Sequence, residues 1–72
     1  MDNNSIFRQL RYIFKLQEED ILKIYSLVEE EVSKEQVTDW LRKEDDPKLL
    51  QLYDKDFAAF LNGFILLKRG KK

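Results

Sequence analysis

The run from Phe57 to Leu67, Phe-Ala-Ala-Phe-Leu-Asn-Gly-Phe-Ile-Leu-Leu, holds no charged side chain, and no other stretch of that length is so short of charge. The remainder of the chain has to supply its cover. Asn62-Gly63 between apolar runs is a hairpin signal, which keeps a strand-turn-strand reading in view. Against it, Ala58, Ala59, Leu61, Leu66 and Leu67 are good helix formers, and Phe57, Phe60, Leu61, Phe64 and Ile65 recur at helical spacing. The helical reading is preferred. Gly63 then sits inside a helix, at a cost of about 1 kcal/mol relative to alanine. Close approach of another backbone or a large ring explains a glycine there better than a functional role does.

Three more helices and a helical turn precede this stretch. Asn3, Asn4 or Ser5 caps a first helix running to about Leu16, with Ile6, Leu10, Ile13 and Phe14 on one face and Phe7 beside them. Glu18, Glu19 and Asp20 suit the positive end of a second helix, whose apolar stripe is Ile21, Ile24, Tyr25 and Val28. The Glu29-Glu30-Glu31 run marks its solvated end. Ser33-Lys34-Glu35-Gln36 reads as a capping box, with Val32 and Val37 at the positions of a hydrophobic staple, and Val37, Trp40 and Leu41 share the next helix's face. Asp46-Pro47 opens a short helical turn through Leu49, Leu50 and Leu52, and Asp54 caps the last helix. Lys68 and Arg69 fill its final turn before Gly70. The predicted fold is all-α: one domain over residues 1–72, a compact bundle of four to five short helices around an apolar C-terminal helix, with 69–72 a basic, mobile tail.

The residue inventory excludes several functions. Without cysteine or histidine there is no disulfide, no thiolate or imidazole nucleophile, and no zinc site built on those ligands. The hydroxyls of Ser5, Ser26, Ser33, Thr38, Tyr12, Tyr25 and Tyr53 have no evident base partner. Asp45-Asp46 runs into Pro47 and lacks the alternating ligands, glycine and closing glutamate of a calcium loop. The expectation is a non-enzyme that needs no metal and no cofactor. No apolar run reaches the ~18 residues of a membrane span, and the polar start Met1-Asp2-Asn3-Asn4 lacks a secretory signal's basic region, so a cytoplasmic location and no membrane partner are expected.

Two features point to binding. Residues 20–43 form a partial helix-turn-helix, with Lys34, Thr38 and Arg42 on its would-be recognition helix. Residues 17–46, however, carry eleven acidic and four basic groups, the wrong sign for a duplex. The positive charge lies at the chain ends instead: Arg8, Arg11 and Lys15, then Lys68, Arg69, Lys71 and Lys72. Arg8, Arg11, Lys34, Thr38, Arg42, Lys68, Arg69, Lys71 and Lys72 are therefore the candidates for nucleic acid or an acidic partner. The second feature is the last helix, apolar on nearly all sides, where a surface helix presents one stripe. An uncovered side invites a second copy, which makes Phe60, Phe64, Leu66 and Leu67 the candidates for homodimer contacts.

Asn4, Arg8, Arg11-Tyr12, Val32-Ser33, Glu35-Gln36-Val37, Trp40-Leu41, Lys43-Glu44-Asp45-Asp46-Pro47, Phe60-Leu61-Asn62-Gly63 and Lys68-Arg69-Gly70 together resemble the YehS-like bacterial domain of unknown function. The likeness covers nearly the whole chain, and its members typically hold two such units in tandem where this chain has one. The resemblance implies a helical fold and supplies no activity. The reading that follows is a helical interaction module for an unidentified protein partner or a second copy; the alternative is a nucleic-acid-binding domain.

Overall fold

The computed structural model describes residues 2–70. Four helices follow one another, α1 (Asn3–Phe14), α2 (Glu18–Leu27), α3 (Lys34–Trp40) and α4 (Asp54–Lys68), with no strand among the described residues. The predicted all-α bundle is the observed architecture, and α4 packs on both α2 and α1. Lys71 and Lys72 lie outside the described residues, and Gly70 takes the left-handed conformation (φ 66°) that closes α4.

The helix ends show which local signals operate. Ser33 accepts the Gln36 N–H at 3.0 Å, and the Gln36 side chain answers the Ser33 N–H at 3.4 Å, the predicted capping box. α1 is capped one residue earlier than expected: Asp2 accepts the Ser5 N–H at 2.9 Å, a bond that chiefly holds the Asp2 carboxyl below its ordinary pKa. α1 also stops at Phe14. Lys15 turns left-handed (φ 55°) and the Leu16 N–H donates back to the Arg11 carbonyl at 3.0 Å, folding Leu16 into the core. α4 starts at Asp54 without a side-chain cap; the Asp54 carboxylate instead accepts from Asn3 Nδ2 at 2.8 Å.

The expected turn of helix through Leu49, Leu50 and Leu52 does not form. Asp46 accepts the Lys48 N–H at 2.8 Å and its carbonyl accepts the Leu49 N–H at 3.0 Å, making a turn; the chain then runs on without helix to α4. The physical reason is Asn4, a buried side chain on the first turn of α1. Its Nδ2 donates to the carbonyls of Trp40 and Leu50, both at 2.9 Å, and its Oδ1 accepts the Leu52 N–H at 2.9 Å. Asn3 adds a bond to the Leu52 carbonyl at 3.0 Å. A connecting segment whose peptide groups are taken by side chains has no need of helical bonds.

Phe7 lies at the centre of the core. Its ring meets Phe60 edge-on at 4.8 Å, Trp40 at 6.1 Å and Phe57 at 6.5 Å, while Tyr25 lies 5.7 Å from Trp40. Ile21, Ile24, Val37, Leu52 and Leu16 complete it. Ile24 also explains Gly63, since a Cβ at Gly63 would stand 2.8 Å from Ile24 Cγ2 and collide with the Ile24 carbonyl. The glycine lets α2 and α4 meet backbone to backbone, as its position in the helix predicts.

Tyr25 carries a pH-dependent share of stability. Its hydroxyl donates to the Asp56 carbonyl at 2.8 Å, and burial, then the charges of Asp56 and Glu30, raise its pKa above the ordinary 10.0. A folded-state pKa above the unfolded one means the contribution is complete below pH about 10 and is lost as pH rises beyond it. The thermal midpoint should therefore fall above that pH, and Tyr25→Phe should flatten the fall. A midpoint equally steep in both proteins would contradict this.

Candidate functional site

α1 and α4 lie side by side and point the same way. Asn3 meets Asp54 at their starts, Phe7 meets Phe57 and Phe60 midway, and the Phe14 ring meets Phe64 edge-on at 4.9 Å near their ends. Lys68 Nζ stands over the last two rings, 5.4 Å from Phe14 and 5.8 Å from Phe64, within cation–π range.

α1 is turned further toward Phe7 than its apolar stripe predicts. Phe7 is fully buried, whereas Ile13 is 62% exposed and Phe14 remains accessible. Asn4 causes the rotation: it shares the face of Phe7 at i, i+3 and must face the peptide groups it satisfies. Half of the α1 stripe is thereby displaced onto the surface. On α4, Leu61 and Ile65 are exposed on the side next to Phe57 and Phe64, the α1 side. The result is a set of exposed apolar side chains, Ile13, Phe14, Leu61 and Ile65, around the Phe14–Phe64 ring pair over which Lys68 stands.

The predicted self-association residues divide. Phe60 is fully buried inside the chain and cannot touch a partner, which corrects its place among them. Phe64 is half-buried and belongs to the exposed surface through Phe14, while Leu66 and Leu67 are half-buried, Leu67 packing on the core. Ile13, Phe14, Leu61 and Ile65 were not predicted. The apolar excess of the last helix pointed toward Leu61 and Ile65, but nothing local in α1 separates an outward Ile13 from an inward Phe7.

Several residues of the predicted nucleic-acid set are engaged internally. Arg8 Nη1 donates to the Arg42 carbonyl at 2.9 Å. Arg42 pairs with Asp39 at 2.8 Å and with Asp46 at 3.2 Å. Thr38 Oγ1 donates to Glu18 at 2.6 Å, joining α3 to the start of α2. Lys34, Arg11, Lys68 and Arg69 are exposed. Residues 28–33 separate α2 from α3, a longer connection than the three or four residues of a helix-turn-helix. Among the described residues no group of three or more acidic side chains is placed to hold a metal ion, and no helix is long and apolar enough to cross a membrane.

A family model described as "Protein of unknown function (DUF1456)" matches residues 3–70. The chain is similar to the "Uncharacterized protein YehS" of Escherichia coli (strain K12), with 42% identity over 71 residues that cover 99% of this chain and 46% of that protein. It therefore spans about half the length of this relative. No solved structure matches it. Many residues behind the resemblance serve the fold: Asn4 and Arg8 bind backbone carbonyls, Trp40 fills the core, Asp46 shapes a turn and Gly63 admits Ile24.

Proposed function

We propose that this chain, which belongs to the DUF1456 family of proteins of unknown function, is a non-catalytic interaction module which docks a protein on the outer face of α1 and α4. The observation that carries this reading is the exposure of Ile13, Phe14, Leu61 and Ile65 on two helices that meet through Phe14 and Phe64. A small domain buries its large apolar groups where it can, and a contiguous patch left outside marks a contact surface. Lack of histidine and cysteine supports the non-catalytic part, and lack of cysteine suits work in the reducing cytoplasm. The internal engagement of Arg8, Thr38 and Arg42 weighs against the nucleic-acid alternative, because those donors are unavailable to phosphates.

A photoreactive benzophenone side chain at position 65, in the cells that make the protein, tests the reading. The expected result is a discrete protein adduct from position 65 and none from position 34, where Lys34 is exposed at the start of α3. Equal labelling from both positions, or none from position 65, would overturn it.

A further inference from the structure

We infer that the occupant of the α1/α4 face is a second copy of this chain, bound antiparallel about a two-fold axis that passes beside Leu61; the inference rests on the docking reading above. The α4 residues Asp54, Ala58, Leu61, Ile65 and Lys68 are all exposed and, at spacings of four, three, four and three, fall on one side of the helix. That stripe reads acid, apolar, apolar, apolar, base. It is its own complement when reversed: Leu61 is midway between Asp54 and Lys68, so an antiparallel copy brings Asp54 of each chain to Lys68 of the other while Leu61 meets Leu61. The two ends are about 21 Å apart along the helix, which keeps the two Lys68 side chains of a dimer well separated.

The flanking structure favours the same orientation. Because α1 runs parallel to α4, Asp2 at its start and Lys15 beyond its end extend the same polarity, acidic at one end of the face and basic at the other, where Arg69 also lies. Among the described residues, Lys55 and Arg8, whose charge reaches Asp2, oppose the acidic end. On α1, Ile6 and Ile13, seven residues apart, lie on one side of the helix, with Ile6 half-buried and Ile13 exposed. A parallel pairing would place like charges together at both ends and align the helix dipoles unfavourably. A stable dimer covers about 800 Å² per partner, a modest part of the 5257 Å² that this chain exposes.

Sedimentation velocity of the pure chain over a wide concentration range, alone and as variants checked for helicity, tests the proposal. The wild type should sediment as a dimer and Ile65→Glu as a monomer. Asp54→Lys and Lys68→Asp should each weaken the dimer about tenfold, since each creates two like-charge contacts per dimer. Mixing those two variants should restore association, because every contact then pairs opposite charges, and this readout holds even if Ile65→Glu perturbs folding. A wild type that stays monomeric, a dimer indifferent to Ile65→Glu in its folded state, or a mixture no stronger than its components would overturn the proposal. A monomer that still yields an adduct with a different protein from position 65 would defeat the second copy alone and leave the docking face standing; a monomer with no adduct would remove both.

Discussion

Gly63→Ala should lower the stability of the chain by about 2–3 kcal/mol, the usual cost of forcing a methyl group into a filled core. The sign is informative. In an exposed helix interior the same change stabilises by about 1 kcal/mol, through helix propensity and reduced freedom of the unfolded chain. Here the new Cβ would collide with the carbonyl of Ile24 and crowd its Cγ2 at 2.8 Å, and a backbone carbonyl inside α2 cannot rotate aside as a side chain would. Relief requires α2 and α4 to separate, which loosens Tyr25 and Phe60 with them. For a domain of this size the midpoint should drop by roughly 10–20 °C. Asn62→Ala, one residue away on the exposed side, should keep or raise it. Equal midpoints for the two variants would show that the helices do not approach at Gly63 in solution.

Asn4→Ala should be at least as damaging, at about 3–4 kcal/mol. It removes three hydrogen bonds of 2.9 Å and leaves the Trp40 and Leu50 carbonyls and the Leu52 N–H in search of partners. Each such group left buried costs about 1–3 kcal/mol, reduced wherever water can enter. Set against a total of about 4–11 kcal/mol for 72 residues, the loss brings the chain close to its unfolding threshold. Urea denaturation measures the size, and hydrogen exchange locates it, with the Leu52 amide losing protection first. A variant within 1 kcal/mol of wild type would mean that the segment between α3 and α4 holds its course without Asn4.

These two residues also mark where the sequence is readable. Gly63 is a local anomaly, a glycine within an apolar helix, and local reasoning reaches its cause. The Ser33 and Gln36 box is equally local, as is the Ile21, Ile24 and Tyr25 stripe, because each depends on neighbours within a turn or two. Asn4 is not readable in this way. Its partners lie 36 to 48 residues away, and from the sequence it resembles an N-cap when in fact Asp2 holds that position. The docking face inherits this difficulty. Ile13 and Phe14 belong to a regular amphipathic stripe, and only the long-range demands of Asn4 turn α1 so that the stripe is displaced outward. The 47–52 segment misleads for the same reason: Asp46-Pro47 is a sound helix opening, overridden when Asn3 and Asn4 capture the peptide groups of Leu50 and Leu52.

That a second copy of this chain meets the outer side of α1 and α4 is tested most directly by amide chemical shifts recorded as the protein is concentrated. Shifts or broadening should gather at Ile13, Phe14, Asp54, Leu61, Ile65 and Lys68 and leave Lys34, Thr38 and Arg42 unmoved. A response centred on α3, or none on α1 and α4 at the highest concentration, would contradict it.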